Sequence, residues 1–333
     1  MIEIVEPGIQ CTIQDLGRSH VEKGFAPAGA LDSYACRMAN VLVGNDPGNF
    51  TGEPGAACLE IVLFGTKLLF HDDYIVALGG ADLQPSLDGQ PVPMWSAFKA
   101  GKGQLLSFGT SRNGSCAYLA VAGGLDTPSV LGSRSTFLLG GMGGLDGKPL
   151  KKGDRLQVRP FDASVNERIG YRLAEDKIPV YDKLWNLHVV MGPQDELFTE
   201  ESVALFLETE WTLTPVFNRM GYRFTGPKLS FRERPDYLSK YAGSDPSNIV
   251  DDPIPVGGIQ VPSGEGLVLM HREGPTLGGY AKIATVISAD LWKVAQMKPA
   301  NKAKFIPIDV QGAFEKLQAQ ERLFQEELAR AVH

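Results

Sequence analysis

The chain has 333 residues, 43% of them hydrophobic and 21% charged, and a net charge of −7 at pH 7. That length suits two packed domains better than one, and the composition is that of an ordinary globular chain. An acidic balance with no Lys/Arg-rich stripe disfavours a nucleic-acid or anionic-membrane partner, and no uncharged apolar run reaches the ~18 residues of a membrane helix.

The N-terminal "MIEIVEPGIQ" lacks the basic-then-apolar pattern of a leader, so a cytoplasmic location is expected. Next, "LDSYACRMANVLVG" (31–44) predicts a helix, capped by Asp32 or Ser33 and stopped at Gly44. The β-branched runs "CLEIVLFGTKLLF" (58–70) and "YIVALGGADL" (74–83) read as paired strands turning at Asp72-Asp73. "PMWSAFKA", "GQLLSFGT", "SCAYLAVAGG" and "DRLQVRPF" continue the pattern at close, regular spacing, which argues for a sandwich or barrel. The charged stretch 161–186 lacks period-2 alternation and reads as a linker between two β-rich halves, 1–160 and 187–310. Beyond it "NLHVVMGP" restarts the β pattern, and "QDELFTEESVALFLET" (194–209) predicts a second helix. The end of the chain, 311–333, predicts a C-terminal helix with Phe314, Leu317, Phe324 and Leu328 on one stripe. Cys11, Cys36, Cys58 and Cys116 have no CxxC spacing and read as reduced, buried thiols; the five histidines form no HxH or HExxH, so no metal site is expected.

One stretch imitates a phosphate loop. In "GPTLGGYAKIATVI" (274–287), Gly274 and Gly279 have the right spacing, but Tyr280 stands where lysine belongs and Lys282 comes two positions late. The β-branched run after Lys282 predicts a strand, not the helix such a loop must open, with Ser288 capping a helix through "ADLWKVAQM". On one strand Tyr280 and Lys282 would share a face, either as the edge of a binding site or as a solvated hairpin corner.

Four polar clusters lie beside glycines among the strands: Gln14, Asp15 and Arg18 in "TIQDLGR"; Ser133, Arg134, Ser135 and Thr136 before "GGMGG"; Asn218, Arg219, Tyr222 and Arg223 in "NRMGYR"; and Gln260 with Thr276, Tyr280 and Lys282. Arginine forks match carboxylate or phosphate oxygens, and amides and hydroxyls orient a small polar substrate. Bland roles fit each cluster as well: an Asp15–Arg18 ion pair bracing a turn, hydroxyls capping a turn, or Tyr222 in a core with its arginines solvated.

Taken in order, "PGIQCTIQDLGR", "GFAPAGALD", "ANVLVGN", "AGGLDTPSVLGSRSTFLLGGMGG", "GPQDELF", "NRMGYRFTGP", "GGIQVP" and "GGYAKIATVISADL" resemble the KipA family, also called allophanate hydrolase subunit 2 or the biotin-dependent carboxyltransferase family, which includes the C-type subunit of 5-oxoprolinase. The resemblance runs from about residue 7 to 306 and leaves the C-terminal helix outside. It implies a mainly β fold of two cyclophilin-like β-barrel halves with a few short helices. It implies a KipI-like partner and, in a 5-oxoprolinase, a LamB/YcsF-like subunit, the whole assembly using ATP to open 5-oxoproline to glutamate. The alternatives it implies are a carboxyltransferase acting on urea or a similar amide with biotin on a separate carrier, and a non-enzymatic regulator that binds a KipI-like kinase inhibitor. Onto this chain it carries Arg219, Lys282, Asp15 and Tyr280 as catalytic candidates. Gln14, Arg18, Arg134, Asn218, Tyr222, Arg223, Gln260 and Thr276 are its substrate-binding candidates. The chain departs from the family at Phe217, where a serine is usual, at Glu273, where aspartate is usual, and at Leu277 and Ala281 in the family's "TTGGYPK".

Overall fold

The structure, a computed structural model, describes residues 1–19, 24–234 and 236–330. They fall into two units: Met1–His20 with Pro27–Tyr181 and Gln320–His333, and Val21–Ala26 with Asp182–Ala319. The fold is mainly β, with few helices and a helix at the C-terminal end.

The first unit contains β1 (Ile2–Pro7), β2 (Gln10–Gln14), β3 (Cys58–Val62), β4 (Thr66–Phe70), β5 (Tyr74–Gly80), β6 (Ser86–Leu87), β7 (Gln90–Pro91), β8 (Ala97–Ala100), β9 (Leu105–Ser107), β10 (Cys116–Val121), β11 (Leu125–Asp126) and β12 (Arg155–Val158). They form a seven-stranded sheet, β11-β12-β1-β4-β9-β6-β7, and a five-stranded sheet, β2-β3-β10-β5-β8. Ile4, Leu68 and Phe70 of the first sheet meet Leu59, Val76 and Leu119 of the second in one core. β5 and β10 are buried at every residue, because helix α1 (Ser33–Leu42) covers the face turned away from that core. This explains their unbroken apolar runs. Gly79 lets the helix approach, since a Cβ there would lie 2.7 Å from the Ala35 carbonyl oxygen. The ends of α1 follow the expectation: the Asp32 carboxylate accepts from the Ala35 N–H, and Gly44 takes φ +75°.

The expected 58–70/74–83 hairpin does not form. β4 pairs with β1 and β9, and β5 with β10 and β8, so the turn at Asp72-Asp73 carries the chain from one sheet to the other. Within the stretch 161–186 read as linker, residues 170–173 pair with the edge of the five-stranded sheet: the Ala97 N–H donates to the Tyr171 carbonyl (2.9 Å) and the Leu173 N–H to that of Trp95 (3.0 Å). All four cysteines are buried and none forms a disulfide.

The second unit contains β13 (Leu184–Met191), β14 (Trp211–Phe217), β15 (Gly221–Thr225), β16 (Asn248–Pro253), β17 (Gly258–Gln260), β18 (Leu267–Met270), β19 (Leu277–Tyr280), β20 (Lys282–Val286) and β21 (Lys302–Pro307). Seven strands close a barrel in the order β13-β20-β17-β18-β15-β14-β21, and β16 and β19 form a separate two-stranded ribbon. β13 and β21 close the barrel in parallel. Period-2 alternation turns Leu187, Val189, Tyr222, Phe224 and Leu269 inward. The predicted helix over 194–209 is shorter: a 3-10 turn at Asp195–Leu197 precedes α2 (Glu200–Glu208), which Thr199 caps. α2 stacks Phe206 on Phe305, ring centroids 4.8 Å apart. Two more helices follow, α3 (Asp236–Ala242) and α4 (Leu291–Gln296). Ser288 is not the cap expected for α4; it begins a 3-10 turn whose last residue, Asp290, precedes the helix and accepts from the His188 N–H (2.8 Å).

The last helix, α5 (Val310–Arg330), presents a narrower stripe than expected: Phe324 is fully buried, whereas Phe314 is exposed. Within the first unit Phe324 packs on Tyr34 (5.4 Å) and lies over the guanidinium of Arg37, 3.8 Å from its carbon. Arg37 is wholly buried and forks onto Glu321 with bonds of 2.6 and 2.7 Å. Lys177 pairs with Glu327.

Candidate functional site

In the first unit Asp15 ties two polar clusters together. Its carboxylate accepts from Ser133 Oγ (2.6 Å), Ser135 Oγ (2.5 Å), the Arg134 N–H (2.6 Å) and the Gly17 N–H (2.8 Å). Its own N–H donates to Ser135 Oγ (2.9 Å). Arg18 does not brace Asp15; it donates to the carbonyls of Ser135 (2.6 Å) and Val130 (3.2 Å). Gln14 donates to Thr12 Oγ1 (3.0 Å) and the Thr136 carbonyl (3.2 Å). Gln14, Asp15 and Arg18 are buried and Arg134 half-buried. The glycines of "GGMGG" make this packing possible: at Gly143, φ +69°, a Cβ would overlap the Ser135 carbonyl and the Arg18 guanidinium. "TIQDLGR" and "GSRST" thus form one rigid platform.

In the second unit "NRMGYR" divides. Asn218 is exposed and closes the β14–β15 turn, its side-chain oxygen accepting from the Met220 N–H (2.8 Å). Arg219 is buried and pairs with buried Glu273, Nε to Oε1, at 2.5 Å; the Glu273 N–H returns a bond to the Arg219 carbonyl (2.9 Å). Tyr222 and Arg223 cannot both face one ligand. Strand alternation puts Tyr222 inside the barrel, 2% exposed and 5.5 Å from the Phe217 ring, and leaves Arg223 exposed. Beside Tyr222 lies His271, whose burial, with Arg272 and Arg219 near, holds its pKa down at about 3.

The 274–287 stretch forms a strand after Lys282, as expected, and no loop-to-helix junction. The shared face for Tyr280 and Lys282 is not found. Tyr280 ends β19 in the ribbon and Lys282 opens β20 in the barrel, so alternation breaks at Ala281; Tyr280 is 41% exposed and Lys282 0%. Lys282 Nζ instead pairs with Asp252 Oδ2 on β16 (2.8 Å), and Gln194 Nε2 donates to the same oxygen (3.0 Å). Gln194 is fixed in turn, its Oε1 accepting from the Lys282 N–H (3.1 Å) and its N–H donating to the Lys282 carbonyl (3.1 Å). These bonds to Lys282 and Gln194 hold the Asp252 carboxyl below the usual carboxylate range. Gln260 lies across from Lys282 in the β17–β20 pair, buried, and its Nε2 has no hydrogen-bond partner among the described residues. Thr276 is half-buried at the start of the ribbon strand, its carbonyl accepting from Ile254. Sequence reasoning missed Gln194 and Asp252. Gln194 lay in the block "GPQDELF", whereas Asp252 in "VDDP" carried no signal.

A family model described as carboxyltransferase domain, subdomain A and B, matches residues 23–307. A putative urea carboxylase of Emericella nidulans is 38% identical over 311 residues, which cover 91% of this chain and 24% of that protein. The chain therefore spans about a quarter of that relative. The C-type subunit of Escherichia coli 5-oxoprolinase is 35% identical over 339 residues, covering 100% of this chain and 99% of that one. Among solved structures, the urea amidolyase of K. lactis matches with a TM-score of 0.88 and 32% identity, over 98% of this chain and 20% of its own.

Proposed function

The chain belongs to the carboxyltransferase domain family, and on that footing we propose that it is a subunit of a 5-oxoprolinase-like complex that opens a small cyclic amide, 5-oxoproline, to glutamate with ATP hydrolysis. The observation that carries this reading is the extent of the likeness to the C-type subunit of Escherichia coli 5-oxoprolinase: it takes in the whole chain, the C-terminal helix beyond the family match included. The proposed assembly is completed by two further subunits, one KipI-like and one LamB/YcsF-like. The second reading, a carboxyltransferase for urea or a similar amide served by a separate biotin carrier, is favoured by the 38% identity to the urea carboxylase.

Both reactions develop charge on an amide, and fixed N–H donors stabilise such charge. In this reading Lys282 and Gln260 are the groups that meet the substrate, a point charge and an amide donor on neighbouring strands. Tyr280 ends the ribbon strand two residues before Lys282, and Thr276 precedes that strand. Asp15, with its side-chain bonds all inside the platform, is a positioning residue for Arg134 and the "GSRST" backbone, alongside Gln14 and Arg18. Arg219 positions the turn at 271–274 through Glu273. The one stretch that imitates a phosphate loop forms a ribbon strand and a barrel strand in place of a loop-to-helix junction.

The test is co-purification with the two proposed partner subunits and measurement of 5-oxoproline-dependent ATP hydrolysis. The complex is expected to turn over and the isolated chain to be inactive. Turnover by the chain alone, or an assembled complex that ignores 5-oxoproline, would overturn the reading. Activity that requires a biotin carrier and urea would select the second.

A further inference from the structure

A wholly buried ammonium is costly unless a counter-charge accompanies it, and the companion of Lys282 is unusual. Asp252 is 37% exposed in its side chain. It belongs to the β16–β19 ribbon, whose strands pair with each other and not with the barrel. A two-stranded ribbon by itself is marginally stable, and this one leaves Val250 and Leu277 more than half exposed. The donors around Asp252 are, by contrast, fixed. Lys282 and Gln260 sit on paired barrel strands, and Gln194 is held by main-chain bonds to Lys282.

The fit around the carboxylate is closer than an ion pair needs. Gly278 stands opposite Asp252 in the ribbon. A Cβ on Gly278 would come within 3.0 Å of Gln260 Nε2, the buried amide nitrogen with no hydrogen-bond partner among the described residues. One ammonium and one amide therefore hold the Asp252 carboxylate, and the unused Gln260 amide nitrogen lies beside the ribbon at Gly278, the residue opposite Asp252. A surface cavity of about 270 Å³, whose lining includes Gln194, Asp252 and two further acidic residues, Glu196 and Asp251, opens beside it.

We infer that Gln194, Gln260 and Lys282 form a binding site for a planar carboxylate, and that Asp252 fills it as an internal stand-in that the ligand's carboxylate displaces. The site then stays neutral at every stage: the ammonium exchanges one carboxylate for another and is never buried alone. Gln260, idle while Asp252 is in place, donates to the second oxygen of the incoming carboxylate. The inference deepens the proposed function and rests on it only for which molecule brings that carboxylate.

The experiment measures ligand binding to the full chain by titration calorimetry and thermal shift, using acetate, 5-oxoproline and 2-pyrrolidinone, the last being the same lactam without its carboxylate. If Asp252 holds the site more than nine-tenths of the time, Asp252→Ala tightens acetate and 5-oxoproline binding by at least ~10-fold. It leaves 2-pyrrolidinone unchanged. Asp252→Ala alone should melt below wild type and be restored by acetate; adding Lys282→Met should abolish the acetate effect. Asp252→Asn, which keeps the side-chain shape, gives a second comparison if the alanine variant folds poorly and should also tighten binding. Carboxylate binding that is unchanged or weaker in both Asp252 variants, or that survives in the Asp252→Ala/Lys282→Met double variant, would overturn the inference. Carboxylate binding as expected in a chain whose assembled complex ignores 5-oxoproline would leave the site standing and remove the proposed function. An active complex with no effect at Asp252 would do the reverse.

Discussion

Arg219→Ala separates a catalytic arginine from a bracing one. Arg219 and Glu273 are 5% and 2% exposed, and their bond measures 2.5 Å. Deleting the guanidinium leaves the Glu273 carboxylate buried without its cation, and breaking a buried pair in this way costs about 3–5 kcal/mol. For a unit of this size each kcal/mol corresponds to roughly 2–4 °C in Tm, so the variant should melt about 10 °C below wild type. Intrinsic fluorescence suits the assay, because Trp185, Trp211 and Trp292 lie in the second unit and only Trp95 in the first. Replacing both partners, Arg219→Met with Glu273→Leu, removes the orphaned charge and should recover most of the loss, since apolar residues of similar volume often match a buried pair. Turnover of the complex should then follow folding in the single variant and return in the double. An Arg219→Ala chain that melts within 2 °C of wild type (roughly 1 kcal/mol) while its complex loses activity would refute the bracing role and make Arg219 a substrate contact.

Three further outcomes are expected. His271, at about 3 in the fold against an ordinary 6.5, gives up no stability above pH 6.5 and loses it progressively as pH falls from 6.5 toward 3, because only the unfolded chain takes the proton there. Between pH 7 and 5 this amounts to about 2 kcal/mol, and His271→Phe should flatten the fall in urea midpoint by that much; an unchanged slope would exclude it. Gly143→Ala combines a left-handed backbone with an overlap on the Ser135 carbonyl and Arg18, and should cost at least ~2 kcal/mol, read as a lower Tm. A variant as stable as wild type would show that the platform is not rigid. Glu321→Ala strands the buried Arg37 guanidinium and should cost about 3–5 kcal/mol, with early proteolysis of α5; resistance equal to wild type would show that the helix docks without this pair.

Much of this was legible in the sequence where the cause is local. Asp32 and Gly44 bound α1 because a cap and a left-handed stop act within a few residues. The β-branched run after Lys282 became a strand for the same reason. Strand partnership was not legible: β4 and β5 are neighbours in sequence yet join different sheets, because pairing is settled by distant strands. The change of sheet at Ala281 has no residue signature either, and it separates Tyr280 from Lys282 although the period-2 rule unites them.

The same limit applies to the charges. In sequence Arg219 and Lys282 look alike, each a cation beside glycines in a β context. Their partners distinguish them. Glu273 is buried and tied back to Arg219 through the main chain, so that pair opens only if the turn unfolds. Asp252 is partly exposed, sits on a ribbon outside the barrel and shares its oxygen with Gln194. A ligand carboxylate can replace Asp252 at Lys282 while every barrel strand stays in place, and no ligand can replace Glu273 at Arg219 without first breaking the fold. In the proposed exchange, Lys282 and not Arg219 is therefore the cation that trades its partner for a substrate.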